Sequence, residues 1–132
     1  MAGTLQFDLV SPERRLASLQ ATEVQIPGAD GNMTAMEGHS PTITTLRPGI
    51  LRAVSASGTV AFAVTGGFAE ITATGVSVLA EQAIPLEEAT GTIFDNIIAE
   101  ARSLMAAALP EDRDAAEKMV NDILAMRSAA GH

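Results

Sequence analysis

Hydrophobic and polar residues alternate along the first two-thirds of this chain, then recur every third or fourth position in the last third. In "LQFDLV", Leu5, Phe7 and Leu9 share one face while Gln6 and Asp8 share the other. Val24 and Ile26 oppose Glu23 and Gln25; Val60, Phe62 and Val64 oppose Ala61 and Ala63; Val76, Val78 and Ala80 repeat the pattern. A period of two predicts strands buried on one face, or on both where the second face is also apolar. Turn-forming residues separate these runs: Ser11-Pro12, Pro27-Gly28 with Asp30-Gly31, Gly38 to Pro41, Pro48-Gly49, Ser57-Gly58, Gly66-Gly67 and Thr74-Gly75. Short strands divided by such turns predict an antiparallel sandwich or barrel over residues 1–84.

After Pro85 the period changes. Ile93, Ile97, Ala101, Leu104 and Ala108 form a helical stripe, which Leu109-Pro110 ends because proline has no N–H to donate and clashes with the preceding turn. A second helix is expected from about Glu111, with Ala116, Met119, Val120, Ile123 and Met126 on its apolar side and acids in its first turns. Residues 85–132 therefore read as a helical hairpin. The start of its first helix is ambiguous: an interior Gly91 would cost about 1 kcal/mol relative to alanine, and Thr92 with Asp95 resembles a partial capping box.

Composition narrows the function. The 132 residues carry a formal net charge of −8, with Lys118 the sole lysine. Nucleic-acid binding and attachment to anionic lipid both need clustered basic residues, so neither is expected. The charge is uneven, net −3 over residues 1–84 and −5 over residues 85–132. Cysteine is absent, which excludes disulfides and thiolate metal sites. The segment "MAGTLQFDLV" lacks the basic start of a signal peptide. "LMAAAL" falls far short of the roughly 18–20 apolar residues of a membrane helix, so a soluble chain without direct membrane insertion is expected. Only four aromatic residues occur, all phenylalanine. The core must come from aliphatic side chains, each stabilising by about 1.5–3 kcal/mol when fully buried.

Candidate chemistry is sparse. Asp30, Glu37, His39 and Ser40 supply the residue types of a nucleophilic hydrolase, but nothing in their spacing demands a triad. Ser40 precedes Pro41 and lacks a G-x-S-x-G setting, so His39 reads as a turn or contact residue. His39 with Glu37 offers two donor types where a catalytic zinc site uses three protein ligands. "VTGGFAE" has no phosphate-loop lysine and predicts a turn or bulge between strands. No cofactor or metal is expected. The residues alone thus describe an acidic sandwich with a helical hairpin, suited to assembly rather than catalysis.

Three blocks resemble the epsilon subunit of the bacterial F-type ATP synthase: "FDLVSPER", "PGADGNMTAMEGHSPTITTLRPGILR" and "AVTGGFAEITATGVSVLAEQAI". The shared elements are the Gly38-His39-Ser40-Pro41 turn, Arg47-Pro48-Gly49 and the Gly66-Gly67 pair, in that order. The resemblance implies a sandwich of about ten strands and a non-catalytic rotor subunit that couples proton-driven rotation of the c-ring to the catalytic head. It implies the gamma subunit and the c-ring as partners, with the alpha/beta head reached through the helices. The location implied is the cytoplasmic face of the inner membrane. By correspondence Gly28, Ala29, Asp30, Gly31, Asn32 and His39 lie toward the ring, and Ser11 and Thr44 toward gamma. The alternative role is an ATP-sensing regulator whose hairpin binds nucleotide. Nucleotide-binding members carry Ile/Leu-Asp-x-x-Arg-Ala, whereas "LEEATG" here has Glu87 for the aspartate, Thr90 for the arginine and Gly91 for the alanine. The second helix offers Arg113, Lys118 and Arg127 beside five acids from Glu111 to Asp122. Weak inhibition through that helix is the expectation.

Overall fold

The computed structural model describes residues 3–132; Met1 and Ala2, which the expected 1–84 span includes, lie outside the described residues. Eight strands precede two helices. They are β1 (Leu5–Val10), β2 (Arg15–Ala21), β3 (Glu23–Gly28), β4 (Gly31–Ala35), β5 (Thr42–Thr45), β6 (Gly49–Ser55), β7 (Gly58–Ile71) and β8 (Gly75–Pro85). A 3-10 turn, Leu86–Glu88, leads into α1 (Gly91–Ala107), and a second, Pro110–Asp112, leads into α2 (Arg113–Ala129). Hydrogen bonding runs β2-β1-β8-β7-β6-β3-β4, with β5 attached to β7.

This ladder folds over itself. Leu5, Phe7 and Leu9 of β1 share one core with Val24 and Ile26 of β3 and Leu51 and Ala53 of β6, although β1 pairs with neither of those strands. Two layers therefore face each other, as the alternation predicts. The count, however, is eight strands rather than about ten. The fourteen residues of β7 and the eleven of β8 are unbroken where a sandwich commonly uses separate strands. The first half of β7 pairs with β6 and its second half with β5, so one strand belongs to both layers. The bend falls at Gly66 and Gly67, with φ of 65° and 99°. There Thr65 pairs with Gln82 and Gly67 with Ala80, so the register survives the bend. The glycine pair thus creases a strand rather than turning a hairpin. A second departure from the expected pattern is that β1 and β8 run parallel.

The hairpin packs on the outer face of β6–β8. Ala63, on the side of β7 opposite the core residues Phe62 and Val64, shares a second core with Phe94, Ile98, Ala101, Val120, Ile123 and Met126, with Ile50 and Ile84 at the margin. The expected α1 stripe is rotated by one residue. Phe94 and Ile98 are buried, Ile93 and Ile97 half-buried, and Leu104 exposed. Rows i and i+1 lie only about 100° apart on a helix, and the row holding the large Phe94 ring wins the seat. On α2, Val120, Ile123 and Met126 are buried as expected, while Met119 faces out. Val60 is also exposed, two residues after the Ser55–Gly58 turn, where an open groove separates it from Leu19 and Gln20 of β2. The α1 cap is Thr90, whose Oγ1 accepts from Ile93 N at 3.3 Å. Gly91 then occupies the first helical position rather than the interior, and Asp95 pairs instead with Arg127 on α2 at 3.0 Å.

Candidate docking surfaces

The β3–β4 turn projects Ala29, Asp30, Gly31 and Asn32 into solvent while Gly28 is buried. A Cβ at Gly28 would sit 2.8 Å from the Gly31 carbonyl oxygen, and Gly31 has φ of 143°, so both glycines are required by the geometry. The β5–β6 connection ties this turn down. Ala29 N–H donates to Thr45 O at 2.9 Å and Arg47 N–H to Pro27 O at 3.0 Å. The Arg47 guanidinium donates from Nη1 to Gly28 O at 2.6 Å and from Nη2 to Asn32 Oδ1. Beside it an open groove of about 370 Å³ separates α2 from the sheet, bordered by Asn32, Arg47, Ile50, Arg52, Asp122 and Met126.

His39 lies past the other end of β4. Its loop is fixed by Gly38 N–H donating to Ala73 O at 2.8 Å and His39 N–H to Met36 O at 3.1 Å. The four steps of β4 alone span roughly 13 Å, so the turn at Gly28–Asn32 and His39 occupy separate parts of the surface. No hydrolytic triad is assembled among these residues. Asp30 is remote from His39, and Nδ1, the nitrogen a carboxylate would orient, donates to the main-chain oxygen of Ser40 at 2.6 Å. Among the described residues no group of three His, Asp or Glu could hold a metal ion.

Ser11 and Thr44 flank a feature of the outer sheet face. Successive pairing sets Val10 beside Leu79, Leu79 beside Phe68 and Phe68 beside Thr45. Their side chains point away from the core, with Phe68 45% and Leu79 47% exposed. One row over, Ile43 is 73% exposed, and Asp8, Glu70 and Ser77 provide a polar margin. Ser11 follows Val10 at one end, its Oγ donating to Arg14 O at 3.3 Å. Thr44 stands at the other end with its side chain turned inward: its Oγ1 would be 3.3 Å from a Cβ at Gly28. The outward contacts at that end belong to Ile43 and Thr45. The sequence reading missed Ile43, Phe68 and Leu79. For Leu79 the signal was "VLA", three consecutive apolar residues in β8, which require cover on both faces of a strand.

The Leu86–Gly91 stretch exposes Glu87 and Glu88, uses Thr90 as a cap and contributes no cation, and Arg127 is paired with Asp95. A family model described as ATP synthase, Delta/Epsilon chain, beta-sandwich domain matches residues 4–86. The ATP synthase epsilon chain of Cereibacter sphaeroides (strain ATCC 17025 / ATH 2.4.3) is 72% identical over 132 residues, 100% of both chains. That of Rhodobacter capsulatus is 54% identical over 128 residues, 97% of both chains. Among solved structures, a chain of the Euglena gracilis mitochondrial ATP synthase (OSCP/F1/c-ring in rotational state 1) has a TM-score of 0.75 at 25% identity, covering 98% of this chain and 82% of that one. With the sandwich matched nearly end to end and full-length relatives at such identity, the chain belongs to the family of bacterial F-type ATP synthase epsilon chains.

Proposed function

We propose that this chain is a non-catalytic subunit of the central stalk, coupling proton-driven rotation of the c-ring to ATP synthesis through contacts with gamma. Residues 1–84 form the docking body and residues 85–132 the hairpin, peripheral to the cytoplasmic face of the inner membrane. The observation that carries this reading is the outward apolar band on the sheet, half-buried Val10 with exposed Ile43, Phe68 and Leu79. A contiguous apolar face with a polar margin is the composition of a protein interface. Gamma covers it in this reading, and the Gly28–Asn32 turn and His39 loop meet the ring. The hairpin, with its excess of acids, inhibits weakly or not at all. Replacing Phe68 and Leu79 together by threonine, which suits a strand and adds no charge, tests the gamma assignment. The doubly substituted chain should keep its melting temperature, since neither side chain is in the core, but lose co-purification with gamma. Undiminished co-purification would defeat the reading.

A further inference from the structure

We propose that Arg47 is a positioning residue that holds the β3–β4 turn in the shape that docks on the ring, an inference resting on the ring contact proposed above. The turn belongs to β4, an edge strand of five residues, and four of its residues are exposed. Such a tip would yield under load unless braced from outside its own hairpin. Arg47 supplies that brace from the β5–β6 connection. Its main chain holds Pro27, while the two arms of its guanidinium hold Gly28 O and Asn32 Oδ1, one on each leg of the turn. A planar fork can satisfy two acceptors at once; the single ammonium of a lysine is not preset to do so. Among the described residues, the ion pairs are Lys118–Asp122 and Asp95–Arg127. Arg47 therefore directs its charge at an amide oxygen and a carbonyl rather than a carboxylate, and Asp30 at the tip stays free for a partner. The guanidinium borders the open groove beneath α2, so shortening it opens onto solvent and empties no part of the core.

The test compares Arg47→Met, Arg47→Lys and Asp30→Lys in the full-length chain. Amide hydrogen exchange is measured on the free subunit, and binding is measured to detergent-solubilised c-ring. In Arg47→Met, exchange at Ala29 and Gly31 should accelerate about tenfold while amides of β1 and β6 stay protected. Ring affinity should fall by a similar factor, with Arg47→Lys intermediate in both readouts. Unchanged exchange in Arg47→Met overturns the brace. Accelerated exchange with unchanged ring affinity, where Asp30→Lys does lower that affinity, leaves the contact standing and overturns the positioning role. Ring affinity unmoved by either Arg47→Met or Asp30→Lys removes the ring contact itself, and the inference with it.

Discussion

Gly67 and Gly131 both have positive φ, of 99° and 85°, yet a methyl group meets different surroundings at each. At Gly67 a Cβ would lie 2.0 Å from the Leu79 carbonyl oxygen; at Gly131 nothing is within 4 Å. Gly67→Ala should therefore cost upwards of about 3 kcal/mol, combining backbone strain with a main-chain collision that cannot relax. Gly131→Ala should cost only about 1 kcal/mol, from the backbone alone. Urea denaturation of the two variants checks this, and equal losses would mean that the β7–β8 crease tolerates side chains. The glycine pair was legible as a special place in the chain. Its nature was not, because a crease and a turn both need positive φ and only pairing on both sides distinguishes them.

At the scale of elements, the strands were legible because alternation reports burial directly. The helix boundary was less so. Thr90 and Thr92 are both competent caps in isolation, and Asp95 could serve either a box with Thr92 or a bond to another helix. The contact with Arg127, distant in sequence, decides the matter. Thr90→Ala should destabilise the hairpin by about 1 kcal/mol, whereas Thr92→Ala, at an exposed position without a capping bond, should be nearly neutral. Thermal melts of both variants resolve them; a larger loss at Thr92 would move the cap. The rotated α1 stripe has the same origin: two neighbouring rows were apolar, and only the seat formed by Ile50, Ala63 and Ile84 selects between them.

On the scale of the whole molecule, two separate cores stand on opposite faces of β7, one between the layers and one beneath the hairpin. Deleting residues 86–132 leaves the first intact, so the remaining sandwich should unfold cooperatively, while Ile50, Ala63 and Ile84 become exposed. In the reconstituted synthase the deletion should raise ATP hydrolysis by less than about twofold, since the acids from Glu111 to Asp122 outnumber Arg113, Lys118 and Arg127 and leave little basic surface for a grip. A severalfold rise would show that the hairpin restrains the enzyme. The outward apolar band was the least legible feature. Phe68 and Leu79 are eleven residues apart in sequence and become neighbours only through the β7–β8 ladder.

That ladder has a mechanical corollary. The far halves of β7 and β8 carry Phe68 and Leu79, and their near halves carry Ala63 and Ile84 under the helices. Two uninterrupted girders of covalent chain, joined rung by rung, thus connect the outer apolar surface to the hairpin's seat. Tilting that surface would carry the seat with it, the glycine crease being the one place along the pair where the motion could be absorbed.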